Sequence, residues 1–148
     1  MRGVSTAMRA ATVDASQQAV WELIADPHHH PRWWPGVDRV EGVAEDRFTH
    51  VLKTKRGRSV RADFVIAERR PPWVTAWRQE LAGTPFARVL SESVIQLNLE
   101  PEGGAATRVT IVHQQKLRGY SRTGGVMLRR ATDERLDEAL AGLARIVA

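Results

Sequence analysis

The segment Ser121–Val147, SRTGGVMLRRATDERLDEALAGLARIV, is the one part of the 148-residue chain whose apolar spacing keeps a helical period over several turns. Leu128, Thr132, Leu136, Ala139, Leu140, Leu143, Ile146 and Val147 recur at steps of three and four. Arg129, Arg130, Asp133, Glu134, Asp137 and Glu138 take the opposite side. At 1.5 Å of rise per residue such a helix would run to about 40 Å, and its apolar stripe demands a cover. The preceding residues read as strands able to provide one.

Working outward from that helix, Val4–Val13 is rich in Val, Thr and Ala and reads as a first strand. Asp14-Ala15-Ser16 then starts a short helix, with Ser16 as N-cap and a stripe of Ala19, Val20, Leu23 and Ile24 flanked by Trp21. Asp26-Pro27 ends it, because a residue before proline is pushed out of the helical region. In HHHPRWWPGVDRVEG, residues 28–42, Pro31, Pro35 and Gly36 forbid a long helix. A turn or short broken helix is expected there, leading into a strand at Val37–Val43. Strand character follows in Phe48–Lys55, Arg58–Glu68, Trp73–Leu81, Ala87–Glu100 and Ala106–Lys116, separated by short Gly- and Pro-bearing turns. Short separators imply antiparallel neighbours. The expected fold is α+β: a curved six-to-seven-stranded antiparallel sheet wrapped around the long C-terminal helix, with two short helices after strand 1, all in one domain over residues 1–148.

The stretch VDASQQAVWELIADPHHHPRWWPGVDRVEG, residues 13–42, resembles the opening of the SRPBCC or START-like superfamily, in particular its polyketide cyclase/dehydrase branch. There a strand leads to a helix of the form VW-x-L-x-x-D, a Trp-Pro turn and a V-x-x-V-E strand. PPWVTAWRQELAGTPFARVLSESVIQLNLEPEGGAATRVTI is similar to the middle strands of that family, and GYSRTGGVMLRRATDERLDEALAGL to its gripping helix. The resemblance implies the helix-grip fold with a cavity between sheet and helix. It implies no particular activity, since members range from lipid carriers to cyclases.

Alternation assigns faces to the strands. Val89, Ser91, Ser93, Ile95, Leu97 and Leu99 share one face of their strand, and Val109, Ile111, His113 and Gln115 one face of the next. Trp73, Thr75, Trp77 and Gln79, and Val60, Ala62, Phe64 and Ile66, do likewise. The inner surface is thus aromatic and aliphatic with a few neutral polar groups, as a small-molecule pocket requires. Trp34, Phe64, Trp77 and Met127 would supply contact area, or simply fill a core. Gln79, Ser91, Ser93, His113 and Gln115 would orient polar substituents, or bond one another. His113 is the one inward imidazole on a clearly phased strand and a candidate for proton transfer, but no acid shares its face to orient it. His50 has a less certain phase. Gly124-Gly125 allows either a close backbone approach or a weak helix start.

Other classes are disfavoured. His28-His29-His30 reads as a solvated loop rather than a metal site, since no further ligand stands at the right spacing. With no Cys there is neither a disulfide nor a thiolate centre. The net charge of +5 comes from scattered Arg interleaved with acids, without a nucleic-acid-binding motif. No signal peptide or membrane span is apparent. The expectation is a cytoplasmic protein, monomer or homodimer, needing no cofactor or metal, that binds a hydrophobic, ring-containing molecule such as a polyketide or lipid. An aromatase/cyclase or dehydratase acting in the same cavity is the alternative. Family cyclases steer their substrates with cavity Arg and hydroxyl groups, whereas Arg61, Arg78, Arg88 and Arg108 here fall on the outward phase and Tyr120 in the final turn. A protein-interaction module is a third class.

Overall fold

The computed structural model describes residues 3–119 and 122–147. Seven strands form one antiparallel sheet: β1 (Val4–Val13), β2 (Val37–Glu41), β3 (Arg47–Lys53), β4 (Ser59–Arg70), β5 (Val74–Glu80), β6 (Leu90–Glu102) and β7 (Ala106–Leu117). Their order across the sheet is β1-β7-β6-β5-β4-β3-β2. Between β1 and β2 lie α1 (Gln17–Ala25), a 3-10 turn (Pro27–His29) and α2 (His30–Trp33); α3 (Arg122–Val147) closes the described chain. The expected α+β helix-grip architecture is what forms. The expected helix start at Ser121, and Tyr120, lie outside the described residues.

Local chemistry explains the boundaries. Ser16 Oγ accepts from the Ala19 amide at 3.2 Å, satisfying one free N–H at the start of α1. Asp26 leaves the helical region at φ −91°, ψ 110° before Pro27. Consecutive strands pair as neighbours from β2 to β7, and β1 closes the order against β7, Val4 opposite Lys116 and Val13 opposite Thr107.

Leu136, Ala139, Leu140 and Leu143 of α3 are buried with Ala7, Ile95, Leu97, Leu99, Val109 and Ile111 of the sheet in one core. Opposite them, Arg129, Arg130, Glu134, Asp137 and Glu138 are exposed, as the period requires. Arg9 of β1 clamps the helix edge, reaching Asp133 at 3.5 Å and Asp137 at 3.2 Å.

Four expected inward residues turn out to be exposed. Trp73 is 49% exposed because β5 begins only at Val74; Trp73 belongs to the turn, its amide donating to the Arg70 carbonyl. Val89 caps a 3-10 turn at Pro85–Arg88 instead of opening β6. Ser91 is the extra residue where the β6–β7 register shifts between Leu90 and Glu92, so alternation is reset and its side chain faces solvent. Met127 is 66% exposed, because full burial of the α3 stripe begins only at Thr132. On α1, Ala19 likewise faces out.

Candidate functional site

The inner ends of β3 to β7, the Trp34-Pro35-Gly36 turn and α3 enclose a recess of about 340 Å³. Trp34, Phe64, Phe86 and Ile95 form apolar walls, and Gln79, His50, His113 and Arg135 bring polar groups to it. The volume is within the range of small-molecule sites. Phe64 is carried inward by the phase of β4, and it stacks on Phe48 with centroids 5.2 Å apart.

His113 sits on the inner face of β7 opposite Ile95, with Nε2 2.9 Å from Oγ of Ser93, the inward residue of β6 diagonal to it and opposite Gln115. Its Nδ1 is buried without a partner among the described residues, as is Gln79 Nε2. Burial, with the Arg135 cation as the lesser cause, lowers the His113 pKa to about 4, so the ring is neutral at pH 7. Gln115, next along the same face, accepts from Thr132 Oγ1 of α3 at 3.1 Å. The inward polar groups of β6 and β7 are thus partly paired with each other and with the helix, and partly left over.

Beside the recess lies a second polar group in an apolar setting. His30 and His50 are 0% and 1% exposed, ringed by Trp33, Phe48, Phe64 and Trp77. His30 Nδ1 lies 2.9 Å from His50 Nε2, and His30 Nε2 lies 3.0 Å from the Ile24 carbonyl. Burial drives both imidazoles down, His30 to about 4 and His50 to about 2.

The family model for polyketide cyclase/dehydrase and lipid transport matches residues 5–148. The chain belongs to that family. Solved structures of similar fold include a START superfamily protein from Mycobacterium smegmatis, at TM-score 0.77 and 12% identity over 96% of each chain. The Zhui aromatase/cyclase from Streptomyces sp. R1128 aligns at TM-score 0.71 and 17% identity, over 97% of this chain and 91% of the other. The di-domain ARO/CYC BexL from the BE-7585A biosynthetic pathway aligns at TM-score 0.77 and 23% identity. That match spans 95% of this chain but 45% of BexL. No curated protein matches.

Of the residues expected to line the cavity of this polyketide cyclase/dehydrase family member, Trp34, Phe64, Gln79 and His113 meet at the recess. Ser93 stands behind His113, Gln115 is tied to α3, and Trp77 is buried in the aromatic cluster. Ser91 and Met127 lie outside, for the reasons of register and helix overhang given above. The triple histidine is not a solvated loop throughout. His28 and His29 lie beside Asp26, but the α2 turn carries His30 into the core.

Arg135, Phe86 and the Leu52-Lys53-Thr54 segment at the end of β3 line the recess without any mark in the sequence reading. Arg135 carries no sequence signal because it flanks the apolar stripe of α3, where a long side chain can reach the recess while its residue stays exposed. Phe86 sits in the loop between β5 and β6, where no alternation could place it. The outward Arg61, Arg78, Arg88 and Arg108 are exposed, Arg61 pairing with Glu41 at 2.6 Å. Among the described residues, no helix is long and apolar enough to cross a membrane.

Proposed function

We propose that this protein binds a hydrophobic, ring-containing small molecule in the recess between sheet and α3. One observation carries the reading: apolar walls surround two buried nitrogens, Gln79 Nε2 and His113 Nδ1, that have no partner among the described residues. A dry core would not retain them, since an unpaired buried polar group costs about 1–3 kcal/mol. A ligand carrying polar substituents on an apolar frame would satisfy both the walls and the nitrogens. Trp34 lines the recess, so titration with polyketides, flavonoids, sterols and fatty acids should give saturable quenching with at least one class. Absence of quenching by every class, together with no retained molecule in native mass spectra, would remove the reading.

A second reading, an aromatase/cyclase or dehydratase in the same recess, is favoured by Arg135, a cation beside a neutral imidazole. That arrangement suits stabilising an enolate while His113 exchanges a proton. His113→Ala in a turnover assay separates the two. Weakened binding with no turnover in either protein favours a carrier, and loss of a wild-type rate with binding intact identifies an enzyme.

A further inference from the structure

The direction of hydrogen bonding through the His30–His50 pair is dictated by a single carbonyl. The Ile24 oxygen can only accept, so His30 Nε2, 3.0 Å away, carries a hydrogen. His30 is fully buried with no carboxylate bonded to it among the described residues, and is therefore neutral, which leaves its Nδ1 bare. His50 Nε2 must then donate across the 2.9 Å contact. His50 is neutral for the same reason, so its remaining nitrogen, Nδ1, is a lone pair with no hydrogen-bond partner among the described residues, on a side chain that lines the recess. The lowered pKa of each ring agrees with this assignment.

We propose that His50 Nδ1 is the acceptor for a ring hydroxyl of the bound molecule, a phenol or enol, and that His30 is the positioning residue that sets the His50 tautomer through the Ile24 carbonyl. This rests on the recess being a ligand site and names the chemistry it selects. Several features point to a hydroxylated ring. Phe64 lies 5.0 Å from the His50 ring, and Trp34 and Phe86 complete apolar walls suited to a flat molecule. The acceptor belongs to a side chain that is 1% exposed and lines the recess, so few waters compete for it. An imidazole with its tautomer locked cannot offer a donor there, so a ligand carrying only carbonyl or ether oxygens at that point would face a lone pair.

The test compares 2-naphthol with 2-methoxynaphthalene, identical in rings but differing in the donor, by tryptophan quenching and calorimetry on the whole protein. The naphthol should bind about tenfold more tightly, as one buried hydrogen bond allows, and His50→Phe should abolish the difference while leaving the ether's affinity in place. In ¹⁵N-histidine spectra of the wild-type protein, both rings should appear as the Nε2–H tautomer, and His50 Nδ1 should shift on adding naphthol. In His30→Phe, His50 should become a mixture of tautomers, which altered packing alone would not produce. Equal affinity of the two probes, a difference surviving in His50→Phe, or a His50 ring protonated at Nδ1 would overturn this inference and leave the ligand reading standing. Failure of both probes to bind, with no other ligand class quenching, would remove both. The spectra decide the tautomer even where His50→Phe does not fold.

Discussion

Gly142 and Trp33 meet backbone to backbone: a Cβ on Gly142 would stand 2.6 Å from the Trp33 carbonyl oxygen and 3.0 Å from its Cα. This contact seats α3 against α2 and so positions the Trp34-Pro35-Gly36 turn that borders the recess.

Alanine at 142 should therefore destabilise the protein. Helix propensity favours Ala over Gly by about 1 kcal/mol, but the obstacle is backbone, which cannot swing aside, and overpacking of this kind costs about 1–3 kcal/mol. The net expectation is a loss of up to about 2 kcal/mol in urea unfolding. Gly125 in the same helix has only a Leu117 side-chain atom at 3.9 Å. Gly125→Ala should gain about 0.5–1 kcal/mol. Equal effects at the two positions would show that packing against Trp33 does not govern Gly142.

Much of this arrangement was legible in the sequence, and the omissions share a cause. Leu136, Leu140 and Leu143 announce the helix because a 3.6-residue period survives any local irregularity. Ser93, Ile95 and Leu97 announce their face because β6 is regular there. Alternation misplaces Ser91, two residues earlier, since a bulge is a single inserted residue with no compositional mark, and it inverts everything beyond it. His30 is hidden in the sequence for a related reason. A run of three histidines looks uniformly polar, and only the turn geometry after Asp26-Pro27 decides which of them points inward. Arg135 shows the limit of reading a helix by stripes, since a flanking guanidinium reaches past its own face.

Ser93→Ala tests the support behind His113. The substitution removes the 2.9 Å partner of Nε2 in a ring whose Nδ1 is already unpartnered. The ring is then left with no hydrogen bond among the described residues, and the expected cost is about 1–3 kcal/mol. Ser91→Ala, at an exposed site with only a 3.4 Å contact to the Lys116 carbonyl, should change stability by less than about 0.5 kcal/mol. Chemical denaturation of both variants distinguishes them.

Acid should weaken the fold before most carboxylates titrate. His30, His50 and His113 are each harder to protonate folded than unfolded, their pKa values lowered to about 4, 2 and 4 from 6.5. Unfolding therefore takes up protons below pH 6.5. The stability these neutral rings hold is complete above that value and is lost as pH falls toward their folded pKa values. Between pH 6 and 5 each ring should contribute a slope of about 1 kcal/mol per pH unit. His113→Gln should reduce the total by one such share. A flat stability profile from pH 6.5 to 5 would contradict the burial of all three.

Arg135 offers a way to separate the two causes acting on His113. Burial is the larger and the Arg135 charge the smaller. Neutralising the charge with Arg135→Gln leaves the desolvation in place, so the His113 pKa should rise but stay below the 6.5 of an exposed imidazole. The change is read directly from the pH dependence of the His113 ring resonances. A ligand that fills the recess and excludes further water should push the same pKa down again in either protein, because it deepens the burial that dominates. If instead the variant titrates at the ordinary value, the charge on α3 and not the apolar wall is what keeps His113 neutral. The helix would then control the protonation of the strand opposite it.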